Sequence, residues 1–226
     1  MKKRSKRYKE LKEKIEDKVY PIDEAIKVIK ENSNTKFDAS VEVHVNLGID
    51  SDKGDQQVRG TVTLPHSTGK EVRVAAFVEE ANEKVVKEAG ADIVGGENLI
   101  EEIKKTEKTD FDVAVAEPAM MRYLAKIGKV LGTKGLMPNP KTETVSPDPA
   151  KIIKELKSGK ISFKADPAGI LHQMIGKVSL DDKALKENYE ALMESLNKAK
   201  PNKLKGEYIK SITICSSMGP GVKVKR

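Results

Sequence analysis

Two stretches of this chain call for different kinds of sheet. From Ser40 to Ile49, Val41, Val43, Val45 and Leu47 alternate with Ser40, Glu42, His44 and Asn46. That is the period of a strand with one face in a core and the other in water. From Val72 the run VRVAAFV is nearly all apolar, which suits a parallel strand covered on both faces. A helical stretch from Glu79 to Ala89, the short strand ADIV, a Gly95-Gly96 turn, a helix from Asn98 to Lys105 and the strand FDVAVA follow. A further helix is expected from Pro118 to about Gly128. Strand–helix alternation of this kind predicts a small parallel α/β layer.

Near Lys160 the first texture returns. ISFKA and ILHQMIGKVSL read as two strands joined by a turn at Asp166-Pro167-Ala168-Gly169. Asp181 is placed to cap a helix running to about Lys198, with Leu185, Tyr189, Leu192, Met193 and Leu196 on its inner face. After a basic loop at 199–206, a last strand from Tyr208 to Cys215 sets Ile212 and Ile214 against Ser211, Thr213 and Cys215. Upstream, residues 4–17 read as a solvated, marginal helix. A short amphipathic helix from Asp23 to Glu31 buries Ala25, Ile26, Val28 and Ile29, and a second strand runs from roughly Val58 to Leu64.

The expected fold class is therefore α+β in two domains. One, residues 1–66 with 159–226, is a discontinuous α+β sandwich with helices on one face of an antiparallel sheet. The other, residues 67–158, is an inserted Rossmann-like α/β domain. Charge divides at the same places. The net +7 of the 226-residue chain resolves into +8 on the two ends and −1 on the middle, which directs a polyanionic partner toward the discontinuous half. The polar sheet face, with Ser40, Glu42, His44, Ser211 and Thr213, is the surface such a partner would meet. With no Trp and nine Phe plus Tyr, a platform that stacks single-stranded bases is disfavoured.

Enzyme chemistry finds little support. Neither G-x-x-x-x-G-K-[ST] nor G-x-G-x-x-G occurs, so the glycines that let a backbone wrap a pyrophosphate are missing. His44, His66 and His172 are far apart in sequence and lack ligand spacing, so they read as structural residues and no metal or cofactor is expected. Cys215, the one cysteine, cannot form an intrachain disulfide, and no histidine stands near it in sequence. No apolar run approaches the roughly 18 to 20 residues of a membrane span, and a cytoplasmic chain is expected. Two loops stand out. GTKGLMPNPKTETVSP, residues 132–147, is constrained and carries exposed-looking Leu136 and Met137. SSMGPGVK, residues 216–223, sets Ser217 and Met218 in a stiff Gly-Pro frame.

GTKGLMPNPKTETV resembles the diagnostic segment of the ribosomal protein L-one family of the large subunit, bacterial type. KFDASVEVHVNLGID, VRGTVTLPHSTGK, FKADPAGILHQMIGK and SSMGPGVKV are similar to further blocks of that family, in its order. Glu143 stands where the family usually has glycine, and Pro167 where a basic residue is common. The resemblance implies a non-enzymatic protein that binds large-subunit rRNA and forms the mobile stalk beside the tRNA exit site. It also implies help in releasing deacylated tRNA, repression of its own operon through the mRNA, and a monomer when free. By motif it implies RNA contacts at Lys36, Phe37, Ser40, Glu42, Lys164, Asp166, His172, Ser211, Thr213, Ser217, Met218 and Gly219. Lys36, Lys164 and Lys210 would supply the phosphate contacts. The rival readings are a nucleotide- or metabolite-binding α/β enzyme and a protein-interaction scaffold.

Overall fold

A computed structural model describes residues 5–51, 53, 56–201, 204 and 206–226. In chain order the elements are α1 (Lys6–Glu13), α2 (Ile22–Glu31), β1 (Ser40–Leu47), β2 (Arg59–Thr63), β3 (Val74–Phe77), α3 (Glu83–Glu88), β4 (Ile93–Gly95), α4 (Glu97–Thr106) and β5 (Val113–Ala116). There follow α5 (Met121–Leu124), α6 (Gly128–Thr133), α7 (Pro149–Lys157), β6 (Lys160–Lys164), β7 (Ile170–Lys177), α8 (Asp182–Lys198), β8 (Ile209–Ser216) and β9 (Val222–Val224). The basic loop at 199–206 lies partly outside the described residues. The chain forms two compact units, residues 1–69 with 161–226, and residues 70–160.

In the terminal unit an antiparallel sheet runs in the order β7-β1-β8-β9. Its inner face carries Val41, Val43, Val45, Leu47, Leu171, Ile212 and Ile214, packed against Ile26 and Ile29 of α2 and Leu185, Leu192 and Leu196 of α8. Strand β1 alternates half-buried and buried without exception, as its period requires. The strand at 58–64 does not join this sheet: β2 pairs with β6 in a two-stranded sheet of its own. The bridge Ala165–Leu171 links the end of β6 back across the 166–169 turn. On α8, Asn188 is fully buried. Its amide donates to the carbonyls of His66 (3.0 Å) and Ile175 (2.8 Å), and its oxygen accepts from the His66 N–H at 3.0 Å, so a buried polar side chain is satisfied by backbone on both sides.

The middle unit is a three-stranded parallel sheet in the order β4-β3-β5. Ala75, Phe77, Ala114 and Ala116 pack on one side with Ile100, Ile103, Leu124, Ile127 and Leu131. Val74, Ala76, Val78 and Val115 pack on the other with Val86, Ile152, Ile153 and Leu156. Burial on both faces is what the unbroken apolar run of β3 calls for.

Two expectations are corrected here. The helix from Pro118 does not run unbroken to Gly128; it is a chain of 3₁₀ segments at 118–120 and 125–127 alternating with α5 and α6, and it continues to Thr133. The spacing of its buried residues explains the change. Met120 to Leu124 and Ile127 to Leu131 are four apart, while Leu124 to Ile127 are three apart, the repeat of a 3₁₀ turn. Leu136 and Met137 are not exposed; both are partly buried against the core beside Leu131. Gly135, at φ 71, turns the chain back so that the Leu136 N–H donates to the Leu131 carbonyl at 2.8 Å.

Glu143 has φ 53, a left-handed conformation that costs a side-chain-bearing residue about 1–2 kcal/mol. Its carboxylate pairs with Lys160, whose ammonium also meets Glu155 at 2.8 Å. The ordinary substitution order is expected to invert here. Glu143→Ala loses the ion pair and keeps the strain, whereas Glu143→Gly loses the pair and removes it. The glycine variant is expected to be the more stable of the two by about 1 kcal/mol in urea unfolding; equal midpoints would show that the backbone there is unstrained.

Candidate nucleic-acid interface

The outer face of the terminal sheet is built by strand parity. Ser40, Glu42 and His44 alternate with the core residues of β1, and Ser211, Thr213 and Cys215 do the same on β8. Register then sets neighbours: Glu42 lies opposite Cys215, and His44 lies between Thr213 on one side and His172 on the other. The C-terminal loop is fastened to the same edge. The Ser217 N–H donates to the Ser40 carbonyl at 2.9 Å, and the Ser40 N–H donates back to Ser217 Oγ at 3.3 Å. The Gly219 N–H donates to the Ser216 carbonyl at 2.8 Å, closing a turn in which Met218 is held at φ 64 with 68% of its surface exposed. A methionine that is both strained and solvated costs the fold rather than stabilising it, a combination associated with function.

Phe37 is also exposed, at 58%, so it is not a core residue. Lys36 is exposed beside it. Arg7, which sequence reasoning passed over, joins these parts: its guanidinium donates to Asn34 Oδ1 at 2.9 Å and to the Met218 carbonyl at 3.0 Å. Its only signal in the sequence is a basic residue on a marginal helix. Lys164 and Lys210 are exposed on β6 and β8.

Asp166 accepts from the Ile170 N–H at 2.7 Å, and Gly169 at φ 75 completes that turn. The backbone donor at Ile170, assisted by His172, holds the Asp166 carboxyl below its ordinary range. Pro167 contributes its carbonyl, which accepts from Ser51 Oγ at 2.6 Å. His172 faces Asp166 at 3.5 Å through Nε2 and meets His44 Nδ1 at 2.7 Å through its own Nδ1. The other ring nitrogen of His44 lies 3.2 Å from Cys215 Sγ. Two expectations are therefore corrected. His44 and His172 are neighbours, not isolated structural histidines, and Cys215 does have a histidine partner. Pairing of β1 with β7 and β8 brings together residues more than a hundred positions apart. Burial, then His172, lowers the His44 pKa; burial, then Glu42, pushes the Cys215 thiol up to about 11. The thiol is thus a poor nucleophile as it stands.

In the middle unit, the cleft at the carboxyl ends of β3 and β4 is where an α/β layer places a ligand. Its lining includes four carboxylates, Glu79, Glu80, Glu83 and Glu97, against the single cation Arg122, a net negative field that disfavours phosphate. Among the described residues no helix is long and apolar enough to cross a membrane.

Residues 29–220 match the model of the ribosomal protein L1p/L10e family, a family of ribosomal proteins and not of enzymes. The chain is 50% identical over 225 residues to "Large ribosomal subunit protein uL1" of Saccharophagus degradans, covering 99% of this chain and 97% of that one. It is 51% identical over 221 residues to the protein of the same name from Methylococcus capsulatus, covering 97% and 95%. Against that of Mycoplasma capricolum it is 50% identical over 226 residues, the whole of both. The chain belongs to the ribosomal protein L1p/L10e family, and its relatives here are bacterial.

Proposed function

We propose that this protein is a constituent of the large ribosomal subunit that binds rRNA through the outer face of its terminal sheet and the loop at 216–221. The exposed, strained Met218, braced by Arg7 and by the Ser40–Ser217 pair, is the observation that carries this reading. Its apolar side chain packs on a sugar or base while Ser211, Thr213 and Ser217 hydrogen-bond the backbone. Glu42 and Asp166 accept from ribose 2′-hydroxyls or base amino groups, which reads the shape of structured RNA. Lys36, Lys164 and Lys210 supply the salt-dependent phosphate contacts, with Phe37 and His172 at the rim and Gly219 allowing close approach.

The same face would read a similar fold in the protein's own mRNA and so repress its operon. The stalk so formed would stand beside the exit site and assist release of deacylated tRNA. The free protein is a cytoplasmic monomer in this reading. Co-sedimentation with ribosomes at moderate salt tests it: the chain is expected in the large-subunit fraction, and a chain left in the supernatant would sink it. A chain joining residues 1–66 to 159–226 is expected to keep most of the rRNA affinity; binding no better than that of residues 67–158 would move the site.

A further inference from the structure

Among the described residues, one group of three side chains sets metal-ligating atoms around a common point: Glu42, His44 and Cys215, whose carboxylate oxygen, ring nitrogen and sulfur lie within 4.8 Å of one another. Two come from β1 at positions i and i+2, and the third lies on β8 directly opposite Glu42. The donor set is oxygen, nitrogen and sulfur, the mixture that zinc accepts and that magnesium or calcium does not.

The neighbouring side chains orient this set. His44 Nδ1 and His172 Nδ1 are 2.7 Å apart, so one must donate and the other accept. His172 Nε2 faces the Asp166 carboxylate at 3.5 Å, which only accepts; this favours the tautomer with the His172 proton on Nε2 and its Nδ1 as the acceptor. His44 therefore carries its proton on Nδ1, and its Nε2 lone pair points at Cys215 Sγ, 3.2 Å away. A carboxylate–histidine chain that fixes the tautomer of a ligating imidazole is the usual outer shell of a zinc ligand. Ligands bound tetrahedrally at zinc distances stand about 3.3–3.8 Å apart, so the nitrogen–sulfur pair is already close to that spacing. By contrast, His66 meets the single carboxylate of Glu187.

We propose that Glu42, His44 and Cys215 form a zinc site on the outer face of the terminal sheet, with His172 and Asp166 as positioning residues. On binding, zinc–sulfur, zinc–nitrogen and zinc–oxygen bonds form and the S–H bond breaks. The proton passes to buffer, five of the six waters of the hydrated ion leave, and no electron is transferred. The fourth position keeps a water toward solvent. Although the site shares its face with the proposed RNA contacts, the test below reads the metal alone, so failure of the RNA reading would leave it standing.

The test is a Co²⁺ titration of the full chain followed by absorption. Because Cys215 is the only cysteine, any near-ultraviolet thiolate-to-cobalt charge-transfer band reports this position. The band is expected to saturate at about one ion per chain, to disappear on adding Zn²⁺ and to be lost in Cys215→Ser. His44→Gln is expected to weaken Co²⁺ affinity by more than about tenfold and His172→Gln by roughly tenfold, whereas His66→Gln leaves it unchanged. A second measurement needs no variant: Zn²⁺ is expected to slow alkylation of Cys215 by iodoacetamide in the wild-type chain. No charge-transfer band, a band that His44→Gln leaves at full affinity, or an alkylation rate indifferent to Zn²⁺ would overturn the site.

Discussion

Met218→Asp is expected to weaken binding to large-subunit rRNA by about 30-fold or more, a loss of roughly 2 kcal/mol that is typical of a central contact. Two effects add. The substitution removes the apolar surface that packs on the RNA, and it places a carboxylate against a polyanion. The fold is not at risk, because Met218 is 68% exposed and aspartate tolerates the left-handed region better than methionine does. Its melting temperature is therefore expected to stay that of the wild type, so the loss is one of recognition. Filter binding or calorimetry at fixed salt makes the measurement. Met218→Gly separates the two effects, since it gives up the packing without adding charge, and it is expected to fall between wild type and Met218→Asp. Unchanged affinity in both variants would remove the 216–221 loop from the interface.

The parts of the fold that rest on local periodicity could be read from the chain. The alternation of β1 places Glu42 and His44 on the outer face because a period of two leaves no other choice. The apolar run of β3 implies cover on both sides. What depends on register could not be read. Nothing in residues near 44 says that β7 will set His172 opposite, or that β8 will set Cys215 beside Glu42. Those pairings are decided by which apolar faces close on α2 and α8. For the same reason β2 was legible as a strand while its pairing with β6 was not. The segment from Pro118 to Thr133 failed differently. Its apolar spacing mixes threes and fours, and only packing against the parallel sheet decides where each turn tightens. Helix α7 was left unread although its signals are local: Asp148 caps it by accepting from the Lys151 N–H, and Pro149 opens it. Of the candidate interface, Met218 was visible as an apolar residue in a Gly-Pro frame. The contact that braces it comes from Arg7, far away in sequence.

Gly48→Ala is expected to destabilise the terminal unit by about 3 kcal/mol, at the upper end of overpacking costs. Immediately after β1 the chain passes so close to the segment leading into β8 that the Gly48 N–H donates to the Tyr208 carbonyl at 2.7 Å. A Cβ on Gly48 would overlap the carbonyl oxygen of Glu207. A flexible side chain could swing aside; a backbone carbonyl cannot move without dragging its strand. The pairing of β1 with β8 already shifts between Asn46 and Leu47, so little slack remains to absorb the displacement. The melting transition of this unit is expected to fall by roughly 6–12 °C. Because the segment that must move leads into Ser211 and Thr213, rRNA affinity is expected to fall with it. Gly132→Ala is the contrast. It lies within α6 and a Cβ there would meet nothing within 4 Å, so it is expected to add about 0.5–1 kcal/mol through lower unfolded-chain entropy. Equal stabilities for Gly48→Ala and the wild type would mean that β1 and β8 can separate at this corner without cost, and the tight crossing could not then be what holds the outer face in register.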